Sequence, residues 1–273
     1  MVFINFQSFN ITLTMMTIPF NKYQGAGNDF IIIDNRKSIF NPDDSSLISR
    51  LCDRRFGIGA DGLILICGNP LYDFEMKYFN ADGFEGSMCG NGGRCSADFA
   101  IRAGIAEKKL AFKAIDGVHK AISEEGAIRL QMNDVNESRL INGFYFINTG
   151  SPHYVIFKKD VKNVDVNAEG KILRWSKEFA PGGTNVNFIE TDKTGIYVRT
   201  FERGVEEETL SCGTGVTASA IASVLSGHFD TNTVKVRTRG GNLSVSFKID
   251  GSKISDIWLS GPANFVFEGE IEV

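Results

Sequence analysis

Cys89-Gly90-Asn91-Gly92-Gly93 and its echo Cys212-Gly213-Thr214-Gly215 decide how this chain is read. In each copy a cysteine ends a strand-like run and opens a small-residue turn. The turn leads into a helical stretch, Ser96 to Ala103 in the first copy and Thr217 to Leu225 in the second. Each cysteine is therefore expected at the N-terminus of a helix, where unpaired backbone N–H groups and the positive end of the dipole favour anions. A thiol in that position is expected to have a lowered pKa and to react as the thiolate. The glycines let the backbone approach a ligand closely and turn its N–H groups toward a carboxylate or phosphate.

The two cysteines are 123 residues apart (212 − 89), and the offset recurs. It carries Gly27 onto Gly150, the apolar run Phe30 to Ile33 onto His153 to Ile156, the helix-like Ser45 to Arg54 onto Ala168 to Lys177, and Gly62 onto Asn185. Two halves of one design are implied. If they pack about a pseudo-twofold axis, the two cysteines face each other across one cleft.

The composition fits such a pair of modules. At 273 residues, with 42% hydrophobic and 23% charged, the chain can form two units, each large enough for its own core. A net charge of −4 gives no footprint for nucleic acid, and no basic run suggests a membrane surface. Partners are expected to be small molecules. Five cysteines (52, 67, 89, 95 and 212) without dense spacing fit a reducing cytosol better than a disulfide framework. With no Cys-x-x-Cys and three scattered histidines, no metal site is expected. Residues 1–17 lack the positive start and small-residue cleavage pattern of a signal peptide and are expected to be a disordered extension.

Alternating and apolar runs predict strands at 20–23, 30–34, 63–66 and 74–80, with a helix opening at Asp44-Ser45. Beyond the first cysteine helix come strands at 110–115, 118–123 and 127–132. The second half repeats the order with strands at 144–148, 153–157, 185–190 and 195–202, a helix at 168–179, and three closing strands at 233–238, 243–249 and 254–259. The run Phe265 to Val273 is one strand too many for that half and is expected to cross back to the first sheet. Hairpin-length turns and few helices indicate an α+β fold: two pseudo-symmetric domains, each a mostly antiparallel or mixed β-sheet curved around a central α-helix. The expected division is 18–131 plus 263–273 for the first domain and 132–262 for the second.

Two thiols on opposite sides of one carboxylate cradle suit inversion of a carbon next to a carboxylate. One thiolate removes a proton from one face while one thiol returns a proton to the other. The helix ends stabilise the enediolate-like charge. Such racemisation or epimerisation needs no cofactor. The triplet Glu206-Glu207-Glu208 reads as a solvated loop ahead of Cys212.

Gly27-Asn28-Asp29-Phe30, then Phe79-Asn80-Ala81-Asp82-Gly83 leading to Met88 through Cys95, and Glu202-Arg203-Gly204 leading to Glu208 through Gly215 resemble, in order, the motifs of the diaminopimelate epimerase family. The resemblance runs from about Asn21 to the C-terminus. It implies interconversion of LL- and meso-2,6-diaminopimelate in lysine and peptidoglycan-precursor biosynthesis, in the cytoplasm, without pyridoxal phosphate or metal, by an enzyme whose homodimerisation is left open. By resemblance, Cys89 and Cys212 are the base/acid pair, and His153 and Glu202 assist thiol deprotonation. The backbone N–H groups of Gly90, Asn91, Gly213 and Thr214 meet the reacting carboxylate, with Asn28 nearby. Asn80, Asn185, Glu202 and Arg203 hold the distal amino-acid end. Three departures stand out: Gly62 where some members carry glutamine, Ser151 before Pro152-His153 where asparagine is common, and one extra residue between Gly204 and Cys212. The rival readings are a proline or hydroxyproline racemase using the same chemistry, and a dithiol redox or binding protein.

Overall fold

The structure of the protein, a computed structural model, describes residues 16–273. Strand β1 (Thr17–Gly25) alternates exposed and buried side chains, with Ile18, Phe20 and Lys22 turned inward. It turns through Ala26 and Gly27, both at positive φ (52° and 96°), into β2 (Asn28–Asp34), the paired conformation a two-residue hairpin needs. Of the extension expected over 1–17, residues 1–15 lie outside the described part. Met16 and Thr17 are not disordered: Met16 exchanges backbone hydrogen bonds with Val273 (3.1 and 2.9 Å), and Thr17 opens β1.

Helix α1 (Ser45–Cys52) starts where Asp44 accepts the Leu47 N–H at 2.9 Å, an N-cap bond that satisfies one of the helix's free donors. Strands β3 (Gly62–Cys67) and β4 (Phe74–Asn80) precede helix α2 (Gly90–Arg102). The first half continues with β5 (Lys109–Ala114), β6 (Gly117–Glu124) and β7 (Ala127–Gln131). The second half holds β8 (Ser138–Ile141), β9 (Phe144–Asn148), β10 (Pro152–Phe157), helix α3 (Val166–Arg174), β11 (Asn185–Asp192), β12 (Gly195–Glu202), β13 (Glu207–Thr209) and helix α4 (Gly213–Leu225). Four strands close the chain: β14 (Thr233–Arg237), β15 (Asn242–Asp250), β16 (Lys253–Gly261) and β17 (Asn264–Glu272).

Several expectations need correction. The glycines after each cysteine are not a turn ahead of a helix; with Asn91 and Thr214 they are its first residues. Neither cysteine ends a strand: β4 stops at Asn80 and β13 at Thr209. Helix α3 ends at Arg174 and not at 179, with a separate 3₁₀ turn at Lys177–Phe179. Strand β8 lacked an apolar alternation that would have marked it. The acidic triplet is a solvated loop only in part: Glu206 is exposed in the turn and Glu207 is exposed too. Glu207 and Glu208 lie in β13 on the edge of β12, and the nearly buried Glu208 carboxylate is gripped by Arg199 (2.7 Å) and Arg239 (2.9 Å).

The ladders form one continuous mixed sheet. From its first edge it runs β17-β1-β2-β3-β4-β5-β6-β7, crosses to β16 and continues β15-β14-β12-β11-β10-β9-β8, with β13 also on β12. The 123-residue offset is a structural register. Phe30 faces Gly62 in the parallel β2/β3 pair, and their counterparts His153 and Asn185 face each other in the parallel β10/β11 pair. Helices α2 and α4 begin and end 123 residues apart (213 − 90 and 225 − 102). The extra strand β17 pairs antiparallel with β1, back in the first half.

Each half of the sheet curls around one cysteine helix. Cys95, Ala97, Phe99 and Ala100 of α2 pack with Tyr23, Phe30, Ile64, Phe74 and Phe112. Val216, Ala218, Ala220, Ile221 and Ala222 of α4 pack with Val155, Ile189, Val198, Val236 and Leu259. Small residues all round let strands approach these helices from several sides. The shorter α1 and α3 cover the outer faces of the two halves. Among the described residues no helix is long and apolar enough to cross a membrane.

Gly170 in α3 shows how close that packing is. Alanine has better helix propensity by about 1 kcal/mol, but a Cβ at 170 would strike the Phe201 side chain, with Cγ only 2.6 Å away. Overpacking of this kind costs about 1–3 kcal/mol, so Gly170→Ala is expected to lower stability in urea unfolding. A stabilised variant would contradict the packing described.

Candidate active site

Cys89 and Cys212 are the N-cap residues of α2 and α4. The two helix starts meet almost in contact: a Cβ built on Gly90 would lie 3.9 Å from the Gly213 Cα, and one on Gly213 would lie 3.7 Å from the Gly90 Cα. The Leu259 side chain sits beneath both. The free N–H groups of two helix starts thus converge on one place, with a thiol on each side. Cys212 is buried and Cys89 half-buried; both are free thiols, as are Cys52, Cys67 and Cys95.

Burial raises both active-site thiols above the usual cysteine range, and the Glu202 carboxylate raises them further. Nearby backbone N–H groups, of Gly92 and Asn91 for Cys89 and of Gly215 for Cys212, pull the other way but do not win. The lowered pKa expected from helix position alone is therefore overturned. Removing a charge from water outweighs a few oriented N–H dipoles. Burial raises Glu202 as well, although the Thr209 hydroxyl, which donates to its Oε2 at 2.8 Å, works the other way.

Around Cys89 the amides of Asn28 and Asn91 link four segments. Asn28 Nδ2 donates to Asp61 Oδ2 (3.0 Å), and Asn91 Nδ2 donates to Asn28 Oδ1 (2.6 Å) and to the Ser211 carbonyl (3.3 Å). Asp61 in turn joins Arg54 and Asp29, and Asp29 also pairs with Lys22 at 2.7 Å. Burial works against the Asp29 carboxylate, but the bonds from Arg54 and Lys22 hold it down at about 2.

Around Cys212 the order is different. Cys212 Sγ lies 3.4 Å from Thr214 Oγ1, which lies 2.9 Å from His153 Nε2. Asn187 Nδ2 is 3.1 Å from His153 Nδ1, while Thr200 donates to Asn187 Oδ1 (2.9 Å). His153 is completely buried, and burial, with the Arg203 charge, pushes its pKa down to about 3. A Cβ on Gly215 would collide with Asn187 and come within 3.2 Å of the His153 ring, so only glycine admits this imidazole against α4.

At the far end, Asn185 Oδ1 accepts the Arg203 N–H (2.8 Å) and its Nδ2 donates to Ser151 Oγ (2.7 Å) and the Pro152 carbonyl (2.8 Å). Asn185 therefore shapes the turn that carries Glu202 and Arg203. Ser151, where asparagine was noted as common, is the partner that fixes its amide. Asn80 and Arg203 are exposed at the ends of β4 and β12. Thus the sequence-predicted residues fall into the two cysteine helix starts with Asn28, the His153–Thr214 pair, and the rim of Asn80, Asn185, Glu202 and Arg203. Among the described residues no group of three or more His, Cys, Asp or Glu could hold a metal ion.

Sequence reasoning passed over three neighbours. Asn187 is two residues beyond Asn185 on the same face of β11, a period-two signal that was readable. Tyr78 stands two before Asn80 on β4; its ring occupies the space beside Gly62, where a Cβ would lie 2.5 Å from Cε2. That ring and the Phe79 carbonyl, which is closer still, leave no room for a side chain at position 62. Arg94 sits one turn into α2, completely buried, and only the structure shows where it points.

Comparison with known proteins places the chain in a family. The family model described as diaminopimelate epimerase matches residues 20–137 and 145–266. The diaminopimelate epimerase of Flavobacterium psychrophilum is 50% identical over 252 residues, covering 92% of this chain and 98% of its own. That of Chlorobaculum tepidum is 43% identical over 257 residues, covering 90% and 98%. Two solved structures share the fold at low identity. A Bacillus anthracis phenazine biosynthesis protein of the PhzF family has a TM-score of 0.75 at 16% identity, covering 95% of this chain and 100% of its own. A probable proline racemase from Agrobacterium radiobacter has 0.67 at 15%, covering 93% and 92%. Since the matched family model runs through both cysteine helices and relatives up to 50% identical match over nearly their whole length, the chain belongs to the diaminopimelate epimerase family.

Proposed function

We propose that this chain interconverts LL- and meso-2,6-diaminopimelate in lysine and peptidoglycan-precursor biosynthesis by two-base proton transfer between Cys89 and Cys212. The observation that carries the reading is the near-contact of two helix starts, each capped by a free cysteine. A substrate carboxylate at that junction accepts hydrogen bonds from the N–H groups of Gly90, Asn91, Gly213 and Thr214. As the thiolate on one face takes the α-proton, negative charge grows on the carboxylate where those donors already point. The thiol on the other face delivers its proton to the opposite side of the carbon. Because burial raises both thiols, the thiolate that forms is a stronger base than an exposed one, which suits a weakly acidic C–H bond.

In this reading His153 does not take the proton itself. Asn187 has its Nδ2 also aimed at the Tyr154 carbonyl (3.4 Å), which fixes the amide as donor to His153 Nδ1. Nε2 then carries the ring hydrogen and donates to Thr214 Oγ1, leaving the Thr214 hydroxyl to donate to Cys212 Sγ. The neutral imidazole orients a donor that stabilises the Cys212 thiolate. Asn80, Asn185, Glu202 and Arg203 hold the distal amino-acid end, where an exposed cation and a half-buried carboxylate match a zwitterion. A proline-type substrate has no such end, so this rim favours the longer one. Five free cysteines support a reducing, cytoplasmic setting.

In D2O, LL-diaminopimelate is expected to give meso product carrying deuterium at one α-carbon. Cys89→Ala and Cys212→Ala should each reduce turnover by about 10²–10⁴-fold, the scale of a lost general acid or base. Wild type that under reducing conditions neither exchanges nor inverts this substrate would overturn the assignment and make proline the next compound to test.

The His153 site also predicts a pH dependence of stability. Its folded pKa of about 3 lies below the unfolded value of about 6.5. The unfolded state therefore binds the extra proton first, and stability is lost as pH falls below 6.5. The slope is roughly 1.4 kcal/mol per pH unit from this residue, continuing toward pH 3. Urea unfolding of wild type and His153→Gln between pH 7 and 5 isolates the effect: the difference between them should shrink or reverse as pH falls. A constant difference would show that His153 is not held neutral.

A further inference from the structure

Arg94 is the largest completely buried side chain in the described structure. Its guanidinium donates to three neutral oxygens: Asn91 Oδ1 (2.7 Å), the Gly90 carbonyl (3.3 Å) and the Pro262 carbonyl (3.4 Å). The Gly261 backbone closes over it, since a Cβ there would lie 3.2 Å from Nε and 3.3 Å from Cζ. Among the described residues no carboxylate lies within ion-pair distance. Arginine keeps its proton even when buried, so this is a permanent charge without a carboxylate partner, a costly arrangement unless an anion accompanies it. Its place makes the need sharper. One turn from the N-terminus of α2, it adds to the positive end of the helix dipole and does not offset it. The ionisable groups within its field are Cys95 and Cys89. Cys95 is fully buried with its sulfur against the Gly25 backbone, away from any ligand space.

The pseudo-symmetric half has no such charge. The 123-residue offset carries Arg94 onto Thr217, whose hydroxyl donates to the Gly213 carbonyl at 2.9 Å, just as Arg94 donates to the Gly90 carbonyl. The same position in each helix thus reaches the same carbonyl, once with a cation and once with a neutral hydroxyl. Accordingly, we propose that Arg94 is a positioning residue that makes the two-base site asymmetric: its buried charge favours the thiolate on Cys89 over the thiolate on Cys212, and its fork aims the Asn91 amide at Asn28 and Ser211. Arg94 acts on the substrate only through these groups. The other groups bearing on Cys89 are Glu202 from β12, Tyr78 from β4, Cys95 from α2 and Cys212 across the junction. Each of them is neutral or negative, so among these groups Arg94 is the one cation, acting alongside the Gly92 and Asn91 N–H groups. When Cys89 becomes protonated during turnover, the guanidinium is compensated by the substrate carboxylate at the same helix start.

The proposal refines the epimerase reading, but its test does not depend on turnover. Substrate-free full-length protein is alkylated with iodoacetamide at one pH of about 9, below both thiol midpoints, so that the rate at each cysteine, followed by peptide mass spectrometry, tracks its thiolate fraction. Arg94→Gln should slow alkylation of Cys89 by about tenfold or more, the usual effect of losing a neighbouring charge, without slowing Cys212. Arg94→Lys, which keeps the charge, should hold Cys89 close to wild type. An unchanged Cys89 rate in a folded Arg94→Gln protein overturns the proposal, as does equal slowing of both cysteines. Protein that shows the biased thiols yet ignores diaminopimelate would reject the substrate and keep the charge asymmetry. Turnover of diaminopimelate with unbiased thiols would remove the Arg94 assignment alone.

Discussion

Two helix N-termini pointed at one another are the constraint on which the rest of this structure depends. Their dipoles present positive ends at near-contact distance, an arrangement that repels in the absence of an anion. The close approach exists because Gly90 and Gly213 have no side chains and Leu259 fills the space beneath them. Everything around the junction serves to hold two such ends together. The sheet crosses from one half to the other through β7 and β16, β17 returns to β1, and Asn91 on one helix bonds to the carbonyl of Ser211, immediately before the other cysteine. The cost of opposing the dipoles is offset by core packing, and what results is a site already polarised for a carboxylate.

That site combines two demands that pull apart. Stabilising an anion calls for donors, but making a thiolate basic enough to remove an α-proton calls for dryness. Burial raises both thiols while the backbone N–H groups hold that rise in check. In the proposed reaction that balance gives a thiolate that is reactive toward carbon and a cradle that strengthens as charge moves from sulfur to carboxylate. An exposed cysteine at an ordinary helix start would be more acidic but a weaker base.

Much of this was legible in the sequence because it rests on local chemistry. The repeat could be read from the cysteines, and its offset proves to be the register of β2/β3 and β10/β11. Asp44 marked the start of α1, and Gly25 to Asn28 marked the first hairpin. What stayed hidden depends on three-dimensional burial. The direction of the thiol shift reverses because desolvation, which no motif encodes, exceeds the helix-end effect. The acidic triplet before Cys212 looked solvated, yet Glu208 is gripped by Arg199 and by the distant Arg239. The Arg94 position was visible within its motif, but its lack of a carboxylate partner belongs to the folded state.

The departures from symmetry say more about function than the symmetry does. A perfect twofold site would treat both faces of the α-carbon alike and would have no means of recognising a substrate with a second, unreacted amino-acid end. Here each equivalent pair has been split. Phe30, an apolar wall, corresponds to His153, which orients Thr214 toward Cys212. Gly62, whose space is filled by Tyr78, corresponds to Asn185, which fixes the turn bearing Glu202 and Arg203. Arg94 corresponds to Thr217. The first half thereby gains a buried cation behind its thiol, and the second gains an oriented hydroxyl beside its thiol together with the polar group of Asn185, Glu202 and Arg203. In the proposed epimerisation, two mirror-related proton transfers share one scaffold because its backbone is repeated, and they are directed at one end of one substrate because these side chains are not.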